Sequence, residues 1–108
     1  MTYEDIVSKV QKQAITCDAG HIDHHIAVQF NIFGEGEGAF FIEIGGGRVI
    51  VQPFEYYDRD AVVYVDAQTL LDTLSGKLEI ADVTSNGKMV IQGNYDATIR
   101  LLECFTRK

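Results

Sequence analysis

Gly76-Lys77-Leu78-Glu79-Ile80-Ala81-Asp82-Val83-Thr84-Ser85-Asn86-Gly87-Lys88-Met89-Val90-Ile91-Gln92-Gly93-Asn94 is the stretch whose punctuation decides the architecture. Each glycine falls where one element must stop and the next begin. Gly76 closes the periodic run Thr69 to Leu74 and fits a helix C-terminal cap, because a residue without a Cβ takes the left-handed conformation at little cost. Gly87, following Asn86, is a second stop signal. Asn94 offers a side-chain oxygen to the first free amides of a helix from Tyr95 to Phe105, and Asp96 suits the positive end of its dipole. The order is helix, short helical turn over Leu78 to Asn86, strand over Lys88 to Gln92, helix.

Working outward, Ile26, Val28, Phe30 and Ile32 alternate with Ala27, Gln29 and Asn31, the period of a strand buried on one face. Gly34-Glu35-Gly36-Glu37-Gly38 reads as a hairpin connection. No helix follows it, so its amides cannot be aimed at a phosphate, and its glutamates would repel one. Gly45-Gly46-Gly47 makes a second hairpin between Phe40 to Ile44 and Arg48 to Gln52. Pro53 ends that strand or places it at an edge. Ala61 to Val65 is the fourth strand, and Asp66 caps the helix holding Leu70, Leu71 and Leu74. At the start, Thr2 caps a helix with Ile6, Val7, Val10 and Ala14 along one face, broken by Asp18 to Gly20. In the last helix Tyr95, Ile99, Leu102 and Phe105 draw one apolar stripe. The pattern predicts an α+β fold, a five-stranded mostly antiparallel sheet with helices packed on one face.

The 108 residues form one domain, 1–108, with 46% apolar and 23% charged residues, as in an ordinary globular protein. No apolar run approaches the ~18 residues of a membrane span. A net charge of −7 and scattered basic residues argue against nucleic acid and leave at most transient membrane contact, through an apolar rim or the end from Arg100 to Lys108. The acidic start Met1-Thr2-Tyr3-Glu4-Asp5 lacks a secretory pattern, which leads to the expectation of a cytoplasmic protein. Cys17 and Cys104 have neither metal nor redox spacing and read as free, largely buried thiols.

The ordered set of a helix, Gly76-Lys77, a short helix, Gly87-Lys88 opening a strand, Gly93-Asn94 and a closing helix resembles the sterol carrier protein 2 family. The match runs without a gap from Asp66 to Phe105. Upstream it continues colinearly through Val28 to Ile32, Phe40 to Ile44, Val49 to Val51, and Asp60 before Val62 to Val65. The resemblance implies the fold predicted above and an apolar cavity for sterols, fatty acids, acyl-CoA esters or phospholipids, with no chemistry performed on them. Free-standing bacterial-type members are the nearest in kind, since Phe105 to Lys108 lacks a peroxisomal Ser-Lys-Leu address.

Chemistry-bearing clusters are few. His21, Asp23, His24 and His25 have metal-ligand side chains, but the segment reads as a loop entering a strand, where His24 and His25 point to opposite sides. No metal and no cofactor is expected. Ser8, Ser75 and Ser85 lack a base and an orienting group, and the pairs Glu35 with Glu37 and Asp58 with Asp60 read as solvated charges in turns. The expectation is a protein that is not an enzyme.

On the sheet, alternation sends Phe30, Ile32, Phe40, Ile42, Val51, Val63, Val65, Met89 and Ile91 toward the helices, facing Leu70, Leu74, Leu78, Val83, Ile99 and Leu102. A packed core and a lipid cavity look alike at this level, because only the gap between side chains differs. The resemblance implies the cavity, lined by Phe30, Ile32, Phe40, Ile42, Val51, Leu70, Leu74, Val83, Thr84, Met89, Ile91, Ile99 and Leu102. Asp82, Thr84 and Ser85 make one wall more polar than is usual in the family, which suits a fatty acid whose head group meets Thr84 or Ser85. The alternative is an interaction module of the same fold with a filled core. Phe33, Phe41, Val62, Tyr64 and Val90 fall on the opposite face, where contiguous apolar groups mark an interface, so a homodimer through the sheet face or an edge is a further expectation.

Overall fold

In the computed structural model, which describes residues 1–106, the Thr2 hydroxyl accepts the Asp5 amide while the Asp5 carboxylate accepts that of Thr2. This reciprocal box starts α1 (Tyr3–Ala14). The sheet is built from β1 (Ile26–Phe33), β2 (Gly38–Gly45), β3 (Arg48–Gln52), β4 (Ala61–Asp66) and β5 (Met89–Gly93). Three further helices are α2 (Ala67–Leu74), α3 (Ile80–Ser85) and α4 (Tyr95–Thr106). Arg107 and Lys108, part of the basic end expected to meet a membrane, lie outside the described residues.

The strand order is β3-β2-β1-β4-β5. β2 pairs antiparallel with β1 and with β3, and β5 antiparallel with β4, whereas β4 runs parallel to the central β1. The sheet is therefore mixed and mostly antiparallel. Both central residues of the β2–β3 turn, Gly46 and Gly47, have positive φ, 59° and 78°, the backbone of a two-residue type I′ hairpin.

Gly76 also takes positive φ, and its amide donates to the Thr73 carbonyl while that of Lys77 donates to Asp72. That double bond pattern is a Schellman stop, and it ends α2 where the glycine was read to end it. Asp66 accepts the Thr69 amide and Asn94 the Ala97 amide, each at 3.1 Å, so α2 and α4 begin at the side chains read as their caps.

One continuous core forms between the sheet and the helices, joining Ile6 and Val10 of α1, Leu70 and Leu74 of α2, Val83 of α3, and Leu101, Leu102 and Phe105 of α4 to the inward residues of all five strands. The cross-strand partners Phe30 and Phe40 stack at its centre with ring centroids 5.4 Å apart. Each such buried side chain contributes roughly 1.5–3 kcal/mol through removal from water.

Three expectations change. β1 is buried on both faces, not one: Ala27 and Gln29, on the side away from the helices, are as enclosed as Val28 and Phe30. Phe41 shares that far face but is only 5% exposed, because Phe54 and Tyr56 of the β3–β4 connection pack on its ring with centroids 5.3 and 4.7 Å away. It is thereby removed from the apolar patch. Asp60 is not merely a solvated turn charge; its carboxylate accepts the Ala27 amide at 2.8 Å, its own amide donates to the Ala27 carbonyl, and its carbonyl accepts the Asn94 amide. The β1–β4 ladder begins only at Val28 and Ala61, so the Ala27 amide finds its acceptor in this side chain.

Candidate functional site

α4 shows how the site arises. Its buried residues are Ala97, Thr98, Leu101, Leu102, Cys104 and Phe105, a wider face than the stripe read from sequence. Thr98 can be buried because its hydroxyl donates to the Asn94 carbonyl one turn back, which satisfies it inside the helix and leaves a methyl group for the core. Turning Thr98 inward turns Tyr95 and Ile99 partly outward: Tyr95 is 49% exposed and Ile99 half-buried. Together with Glu103 and Thr106 they form a second stripe along the helix.

That stripe is one wall of a groove of about 560 Å³ whose other wall is Gly76, Leu78, Glu79, Ile80 and Ala81, the approach to α3 and its first turn. A neighbouring depression of about 670 Å³ continues past Tyr95 and Ile99 to His24, Asn94, Asp96, Ala97 and Arg100. Tyr95 and Ile99 stand between the two. α3 holds the groove's edge with one buried residue, Val83, and the side chain of Glu79 at its N-cap makes no capping bond.

Of the residues expected to line a cavity, Phe30, Ile32, Phe40, Ile42, Val51, Leu70, Leu74, Val83, Met89 and Leu102 are brought together in the continuous core. Ile91 is half-buried and packs against it. Ile99 alone of that set lines the groove. Thr84 is half-buried, and its hydroxyl donates to the Ile80 and Ala81 carbonyls at 2.9 and 3.1 Å; that of Ser85 donates to Asp82 at 3.2 Å. The α3 side of the groove is Ile80 and Ala81, and neither hydroxyl is part of its lining. Ile80, Ala81, Tyr95, Glu79 and Glu103 were missed. The spacing of Tyr95, Ile99 and Glu103 by four was the available signal.

The polar clusters hold one another. His24 pairs with Asp23 through Nδ1 at 3.0 Å, and His25 Nε2 bonds the Glu43 carboxylate, which also accepts the Tyr56 hydroxyl at 2.9 Å. The His25 bond holds the Glu43 carboxyl below its ordinary value, against the effect of burial and with help from Tyr56, while the Tyr56 hydroxyl is pushed up chiefly by its bond to Glu43. Among the described residues no group of three or more His, Cys, Asp or Glu side chains gathers where an ion could be held. Neither Cys17 nor Cys104 is in a disulfide, and burial, with the neighbouring Cys104 adding, pushes the Cys17 thiol up to about 12. At neutral pH it stays protonated and a poor nucleophile. No described helix is long and apolar enough to cross a membrane.

The fold recurs in known structures. Sterol carrier protein-2 like-3 from Aedes aegypti is 17% identical, with a TM-score of 0.69 and 97% of each chain covered. Palmitated SCP2L2 from the same mosquito is 20% identical at a TM-score of 0.69, covering 97% of this chain and 95% of that one. The inverting sec-alkylsulfatase Pisa1 from Pseudomonas sp. superposes at a TM-score of 0.76 with 14% identity over 89% of this chain, which spans 15% of that enzyme's length. No curated protein sequence matches the chain. The model of the SCP-2 sterol transfer family matches residues 19–104, from the turn before β1 to the last turns of α4. With four-fifths of its length inside that match, and with the helix and strand order the glycine spacing implied, the chain belongs to the SCP-2 sterol transfer family.

Proposed function

We propose that this domain is a lipid carrier, which shelters the apolar body of a lipid without altering it. The observation that carries the reading is the groove between α3 and α4. Its volume of about 560 Å³ falls inside the roughly 300–1,000 Å³ typical of small-molecule sites. Its walls include Leu78, Ile80, Ala81, Tyr95 and Ile99, and it opens beside the most weakly anchored helix of the fold. Outward movement of α3 about Val83 would extend the groove toward Met89, Leu102 and the sheet, so that the expected lining residues become walls only when a guest is present. The occurrence of the same fold in palmitated SCP2L2 supports this reading. Affinity then scales with buried methylenes, near ~0.8 kcal/mol each before ordering costs.

The carrier acts in the cytoplasm, is not an enzyme, and meets membranes only in passing, since the net charge of −7 is repelled by anionic lipid. Native purification, organic extraction and mass spectrometry should release a lipid, and Ile80→Asp should abolish its retention while leaving the fold intact. A lipid-free protein that also fails to take up a fluorescent lipid analogue would refute the carrier reading.

A homodimer through the open face of the sheet is favoured by Phe33 and Val90, 53% and 46% exposed, with Tyr64 also at the surface. Light scattering across the micromolar range should show it, and a monomer throughout would exclude it.

A further inference from the structure

The charges around the groove set which lipid it accepts, and resting on the carrier reading we infer that the site selects an amphiphile with a cationic head group over one with a carboxylate. The groove's charged lining among the described residues is Glu79 and Glu103, one on each wall, and Tyr95 lines it as well. The Glu79 side chain lines the groove without making a capping bond to α3. Two carboxylates lining one groove favour an ammonium by direct attraction and repel a fatty-acid carboxylate, and the half-exposed Tyr95 ring in the same groove offers a face to a cation.

The adjoining depression does not reverse this. Its basic side chain, Arg100, shares it with Asp96. His24 is already paired with Asp23. Among the described residues that line the two hollows the carboxylates Glu79, Asp96 and Glu103 outnumber Arg100, and the whole molecule carries −7. A partly apolar groove with an acidic rim binds an acyl chain through area and sorts head groups by sign.

Three sixteen-carbon probes of different head-group charge test this: hexadecyltrimethylammonium, monopalmitoylglycerol and palmitate, each below its micelle concentration, displacing an uncharged fluorescent reporter from the full chain. The expected order of affinity is cation, neutral, anion, with at least a tenfold span in low salt that narrows as salt is raised. Glu79→Gln with Glu103→Gln should bring the cation-to-anion ratio close to one. A control pair of remote, exposed positions, Glu4→Gln with Glu37→Gln, removes the same negative charge from the molecule and should leave the ratio unchanged. Palmitate binding as tightly as the cation would overturn the inference, as would a preference that survives the groove double variant or that falls equally in the control. Failure of all three probes to displace the reporter would instead remove the carrier reading beneath it.

Discussion

A methyl group on Gly93 would stand 2.6 Å from the Asp60 carbonyl oxygen and 2.9 Å from the Ala61 Cα, on a backbone with φ of 113°. At Gly87 the same group meets nothing within 4 Å, and only its φ of 83° opposes it. Gly87→Ala should therefore cost about 1–2 kcal/mol, the ordinary left-handed penalty. Gly93→Ala should cost at least ~2 kcal/mol more, since backbone must move to admit it. Urea denaturation compares them directly, and equal midpoints would contradict the argument. Asp60 is the second test at this scale: Asp60→Ala orphans the Ala27 amide and should lose about 1–3 kcal/mol, whereas Asp60→Asn keeps an acceptor and should lose less. The glycines were legible because a stop signal is local. The reason for Gly93, like the role of Asp60, depends on a strand more than thirty residues away and left no local mark.

Among the elements, the β3–β4 connection is fastened to β2 by the Glu43 carboxylate, which takes the Tyr56 hydroxyl and the His25 ring. Its folded pKa lies below its ordinary value, so its stabilisation is complete above the ordinary carboxylate pKa of about 4.3 and drains away as pH falls through the lowered folded value. The urea midpoint of the wild type should fall between pH 5 and the acid limit, and Glu43→Gln, lacking that titration, should show a smaller fall from a lower start. Identical profiles would remove Glu43 as the cause. Helix and strand limits followed their caps closely because capping is a matter of three or four neighbouring residues. The buried face of α4 did not follow its apolar stripe, because Thr98 behaves as an apolar side chain once its hydroxyl is returned to Asn94. Likewise the burial of Phe41 on the far face came from Phe54 and Tyr56, distant aromatics folding over its ring.

At the level of the whole molecule, core and groove separate two kinds of apolar residue that alternation alone treats as one. Leu102→Ala should destabilise by about 2–5 kcal/mol, the cost of a buried cavity. Ile99→Ala, at the half-buried groove wall, should cost less stability and weaken lipid uptake more than its share of area. Paired denaturation and binding curves check this, and a reversed ranking would relocate the site into the core. The family and the sheet's composition were legible in the ordered glycines; the groove was not, because the turn of α4 about its axis is set by packing against α2 and β1. The sheet's connectivity has a temporal consequence. β1, β2 and β3 join through adjacent hairpins and can assemble as soon as they leave the ribosome, but the other side of β1 stays open until β4 arrives alongside it. During that interval the nascent chain presents a bare strand margin to its neighbours, so slower synthesis between residues 53 and 66 should lengthen the time in which copies can stick together.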